Sequence, residues 1–144
     1  MLDPNLHTPA YLKSRSALLT TTVLAVASTV LANLSLSQVE QAAEAFRLQG
    51  HAEKLSLVVF ASGARSVEIV QAQILLCRWG PCPKTRLDEQ RWMRAAMYQR
   101  MATEIGLDHP RRHEGSTQLD VELNGRLRRN DLRTRIFLVL NEYR

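Results

Sequence analysis

Residues 66–80, SVEIVQAQILLCRWG, and residues 91–109, RWMRAAMYQRMATEIGLDH, decide the fold of this chain. Ser66 can cap a helix start with its hydroxyl, and Glu68 stands where the helix dipole is positive. Val67, Val70, Ile74 and Cys77 then recur at helical spacing, Ile69, Leu75 and Leu76 widen the apolar side, and Glu68, Gln71 and Arg78 are left near one edge. The pattern predicts a largely buried helix over 66–79. Gly80, Pro81 and Pro83 stop it, because proline removes backbone donors and glycine restores conformational freedom. A second start follows, with Thr85 and Asp88 spaced as a capping box or Asp88 as the cap of a helix beginning at Glu89. Met93, Met97, Met101 and Ile105 repeat every fourth residue along it, and Gly106 sits where a left-handed terminal cap is needed. His109, held out of helical geometry by Pro110, helps to end this helix. Trp79 and Trp92 read as large packing anchors.

Outward from this segment, the chain reads as helical throughout. Helices are expected near 10–34, 38–60, 66–79, 88–105 and 127–143, with a polar loop from His109 to Gln118, and Ser37 with Glu40 forms a capping box at the second start. No stretch alternates apolar and polar residues for long enough to make a strand. The pair Asn124-Gly125 is the nearest hairpin signal, but its flanks are short and basic. The fold class is therefore all-α, a helical bundle forming one domain over 1–144. No charged residue occurs from Ser16 to Val39, a span long enough to cross a bilayer. Hydroxyls and Asn33 interrupt it, no Trp or Tyr marks its far end, and Leu31 to Ser35 makes a poor cleavage site. A buried helix of a soluble protein, with no membrane partner, is expected.

The order of residues in 66–109 resembles the middle homology region of fungal zinc-cluster transcription factors, a helical regulatory domain. Ser66, Val67, Glu68, Val70, Gln71, Ala72, Leu75, Leu76 and Trp79 match its first helix, and Arg91, Trp92, Ala95, Met101, Ala102, Gly106, Leu107 and His109 match its second. Arg133, Thr134 and Phe137 are similar to a further helix of the family, while Cys77, Arg78, Asp108 and Arg135 depart from its pattern. That region is generally longer than this chain. The resemblance thus implies a truncated portion of a larger regulatory domain with an apolar face left uncovered. It also implies a nuclear protein, regulation of RNA polymerase II transcription, and zinc only in a separate zinc-cluster domain of full-length relatives.

Cysteine content bounds the chemistry. The family's zinc cluster needs six thiolates, and only Cys77 and Cys82 are present, so no DNA-reading zinc module can be built here and no cofactor is expected in the chain. His109 and His113 copy zinc-finger histidine spacing, yet a whole predicted helix separates them from Cys82, and Cys77 should point into a packed face. The histidines at 7, 51, 109 and 113 fall mostly near predicted termini or loops, where surface placement is ordinary.

The net charge of +5 invites a nucleic-acid reading, with Arg126, Arg128, Arg129, Arg133 and Arg135 clustered near the C-terminus. Asp120, Glu122, Asp131 and Glu142 are interspersed among them and no aromatic residues alternate with the arginines, so a solvated helix face is expected and DNA contact is not. No nucleophile elbow, phosphate-cradling loop or His-Glu-x-x-His helix occurs. The expected activity is interaction without catalysis, through protein partners or self-association of helices and with a small-molecule effector as a further ligand. A generic helical protein-interaction module unrelated to transcription is the alternative.

Overall fold

A computed structural model describes residues 2–34, 38–80, 91–107, 109 and 118–142. Among them are six helices and no strand: α1 (Pro9–Arg15), α2 (Ala17–Leu34), α3 (Gln38–Ala61), α4 (Val67–Trp79), α5 (Arg91–Glu104) and α6 (Gln118–Glu142). The all-α bundle is thus the observed class. Helices α2 and α3 form an extensively packed pair, and α4 touches α2, α3, α5 and α6.

Helix α4 is buried nearly all round, with six consecutive residues, Ile69 to Ile74, inside the protein. A helix enclosed on every side has to begin and end under control, because its terminal backbone groups have no partners within the helix. Ser66, in extended geometry, accepts the Ile69 N–H on its Oγ at 3.2 Å and so supplies the expected cap. At the other end the Gly80 N–H reaches Leu76 O at 2.9 Å. A Cβ at Gly80 would lie 2.5 Å from that same oxygen, so the close approach demands glycine.

The end of α5 follows the sequence expectation at Gly106 in detail. Gly106 has φ +67°, its N–H bonds Thr103 O at 2.9 Å, and the Leu107 N–H bonds Ala102 O at 2.9 Å. These are the two bonds of a Schellman cap, accompanied by burial of both Ala102 and Leu107. The helix has already ended at Glu104, so the exposed His109 does not terminate it.

Several boundaries depart from the sequence expectation. The helix expected over 10–34 is two, broken at Ser16, which is extended and ends α1 while its Oγ accepts the Leu19 N–H at 3.1 Å. One serine thus closes one helix and opens the next. Helix α6 starts at Gln118 rather than 127 and runs through Asn124 and Gly125, steadied by the Arg126–Glu122 pair at 2.6 Å. Most of the loop expected over His109–Gln118, and the caps proposed at Ser37, Thr85 and Asp88, lie outside the described residues.

Burial brings further corrections. Helix α2 was expected to be buried, yet only 28% of it is, with Leu18, Leu19, Thr22, Ala25 and Ala32 inside and Leu24, Val30, Leu31 and Leu34 exposed. It is the one helix among the described residues long and apolar enough to cross a membrane. Trp79 is 43% exposed and Trp92 71% exposed, so neither anchors the core; both rings sit at helix ends, where fewer neighbours can enclose them. The methionine stripe is graded, from exposed Met93 through half-buried Met97 to buried Met101. His7 is buried rather than superficial, because its Nδ1 accepts the Asp3 N–H at 2.9 Å in a tight N-terminal turn.

Candidate functional site

Gln71 was expected near a polar edge of α4 and is instead fully enclosed. Its Nε2 donates to Asn130 Oδ1 at 2.7 Å and to Thr134 Oγ1 at 2.9 Å, both on α6. Burying an amide costs free energy unless its hydrogen bonds are replaced, and these two replace those of its donor. Gln71 Oε1 has no hydrogen-bond partner among the described residues. Polar residues of α4 reach several neighbours. Glu68 accepts the Tyr11 hydroxyl of α1 at 3.2 Å, and burial followed by that carboxylate's charge raises the Tyr11 phenol above its ordinary 10.0. Gln73 donates to Ser56 Oγ of α3 at 2.7 Å and accepts from Arg94 of α5 at 3.5 Å. The half-buried Cys77 thiol bonds Arg91 O at 3.6 Å, so it meets the start of α5 rather than a fully packed face.

Three ionic groupings brace the bundle. Arg94 meets Glu53 of α3 at 2.6 Å, so α3, α4 and α5 share one polar network. At the N-terminus Asp3 pairs with Arg133 at 2.7 Å, while Arg126 donates to Asn5 O at 3.2 Å. The Asn5 N–H on the Asp3 carboxylate, and then Arg133, hold Asp3 below its ordinary 3.8. Glu104, bonded first by Arg100 and then by Arg65, is likewise held below its ordinary 4.5.

The residues singled out from the sequence therefore form no single site. Ser66 and Trp79 stand at opposite ends of α4, about 20 Å apart at the helical rise. Ser66 and Gly106 cap, Glu68 and Gln71 tie helices together, and Trp92 and the side chain of Arg91 face solvent. Ser56, Gln73, Arg94 and Asn130 were not anticipated, since their bonds join residues distant in sequence. Asp3 was equally unforeseen. Of the suggested zinc ligands, Cys82 and His113 lie outside the described residues.

What the arrangement offers chemically lies on its outside. Leu24, Ala27, Leu31 and Leu34 form an exposed apolar row along α2, and Leu57, Val58 and Phe60 are exposed on α3. Between α2 and α3 opens a cleft of about 480 Å³ lined by Ser28, Leu31, Leu34, Gln41 and Glu44. A smaller hollow of about 210 Å³ lies nearby, with Phe46 and Trp79 in its wall. On α6, Leu132, Ile136, Val139 and Leu140 are exposed at helical spacing. Contiguous apolar surface of this kind marks interaction sites. No family model, curated protein or solved structure matches the chain.

Proposed function

We propose that the chain is a regulatory scaffold of a fungal-type transcription factor, acting in the nucleus on RNA polymerase II transcription by binding protein rather than by catalysis or DNA contact. The observation that carries the interaction part is the division of α4 and its surroundings. Ser66, Glu68 and Gln71, polar residues of the resembling stretch, are engaged in capping or in bonds between helices, while apolar rows on α2, α3 and α6 remain open to a partner. The transcriptional part rests on the residue order in 66–109. In this reading α2 packs in the bundle through Leu18, Leu19 and Ala25 and does not enter a membrane. Zinc would belong to a cluster encoded elsewhere in a longer protein.

The test has two arms. Genomic sequence upstream of Met1 should encode a six-cysteine cluster, and the chain tethered to an unrelated DNA-binding domain should alter transcription of a reporter. An unrelated upstream domain together with a silent reporter would overturn the transcriptional reading. The chain alone should not shift duplex DNA even at low salt, where phosphate contacts are strongest.

A second reading, a helical interaction module unrelated to transcription, is favoured by one observation. Ser66, Gln71 and Gly106 act as caps and cross-links that many helical bundles require, whatever their function. Reporter silence with retained protein binding would select it.

A further inference from the structure

Two uncovered apolar faces of this chain carry opposite charge. On α6 the exposed row Leu132, Ile136, Val139 and Leu140 is bordered by Arg129 and Arg135, both exposed and each three residues from Leu132, hence on its side of the helix. The α2–α3 cleft has Leu31 and Leu34 in its wall and Glu44 at its rim, with exposed Glu40 one turn earlier on α3; Arg47 pairs with Glu44 at 3.6 Å, so the three together carry a net negative charge. Leu34 is 79% exposed and Leu132 is 55% exposed, so neither row is covered by the described residues of one copy.

We propose that the occupant of the α2–α3 cleft is helix α6 of a second copy of this chain. The apolar row of α6 supplies what the cleft lacks, a helical ridge, and its arginines meet Glu40 and Glu44. A partner with only one of these surfaces would cover one face and leave the other in water. A second copy covers both, because each chain brings a basic ridge and an acidic cleft. Two copies related by a two-fold axis make the contact twice, which is the commonest closed arrangement of identical chains. The apolar rows supply the attraction, and the charges set register and exclude the wrong pairing. This interaction goes beyond the regulatory reading and does not depend on it.

Charge reversal tests it with the full chain. One variant carries Arg129→Glu and Arg135→Glu, the other Glu40→Lys and Glu44→Lys; circular dichroism checks that each is folded. Sedimentation velocity should show wild type gaining mass with concentration. Each variant alone sets like charges against each other and should associate at least about tenfold more weakly, a loss equivalent to about 1.4 kcal/mol. Mixed in equal amounts, the two variants present complementary charges at both contacts and should associate as wild type does. Wild type that stays monomeric, variants that self-associate unchanged, or a mixture no tighter than its parts would each overturn the proposal. Leu132→Glu supplies a second readout should a double variant misfold: it alters an exposed residue and should leave a folded monomer. Capture of an acidic amphipathic peptide by a strictly monomeric wild type would assign the ridge to another protein instead.

Discussion

Helices α4 and α6 differ in how they meet the rest of the molecule. Eight of the 13 residues of α4 are buried, and its side chains reach α1, α3, α5 and α6. The 25 residues of α6 rest on the body along a narrow seam around Asn130, Thr134 and Leu138, with an apolar row on the far side. One helix is made by burial and the other is only partly used by it. Stability should therefore concentrate at α4. The capacity to bind should concentrate on α6 and the outer side of α2.

The largest expected effect contrasts the same kind of truncation in the two places. Ile74 is 1% exposed, and Ile74→Ala should cost about 2–5 kcal/mol in urea unfolding, by lost transfer energy and the cavity left behind. Leu132→Ala on α6, measured on dilute protein, should stay within about 0.5 kcal/mol of wild type. Comparable losses at both positions would break the comparison. Next, Gln71→Ala removes the two bonds from α4 to α6 and leaves buried Asn130 Oδ1 without its donor, a loss of about 1–3 kcal/mol. Proteolysis should then cut α6 before α4, which sharpens the claim that α6 is held by a seam.

Ser66→Ala deletes the cap of the enclosed helix and should cost about 1 kcal/mol by the same measurement, with Ser66→Asp restoring most of it. The smallest effect concerns the N-terminal turn on α6. Because the folded Asp3 carboxyl is held below 3.8, its contribution is complete above that value and lost as pH falls through the lower folded value. Urea midpoints of wild type and Asp3→Asn should therefore differ at neutral pH and converge in acid. A gap that persists or widens in acid contradicts the assignment.

Local chemistry made the framework legible from the sequence. Ser66 and Gly106 are caps whose partners lie within five residues, and the apolar repeat of Val67, Val70 and Ile74 depends only on helical geometry. Gln71 looked like an edge residue because periodicity ranks side chains by polarity. Its burial depends on Asn130 and Thr134, 59 and 63 residues away. Ser16 is illegible for a related reason: amid apolar residues, a serine that divides two helices is not distinguished by spacing from one that lies inside a single helix. Asn124 and Gly125 lower local helix propensity, while the Glu122–Arg126 pair and the Arg126 bond to Asn5 O work in its favour. Size alone puts Trp79 and Trp92 inside, although helix ends enclose a large ring poorly. The candidate interaction faces were least legible, since whether an apolar row is covered is decided by the assembled bundle.

Hydrogen exchange followed by mass spectrometry, on the full chain over a range of protein concentration, tests the division between α4 and α6 most directly. The amides of α4 should be the slowest to exchange at every concentration, opening only with global unfolding, while those of α6 should exchange faster in dilute protein and slow as concentration rises. Equal protection of α4 and α6 at all concentrations, or early exchange along α4, would contradict it.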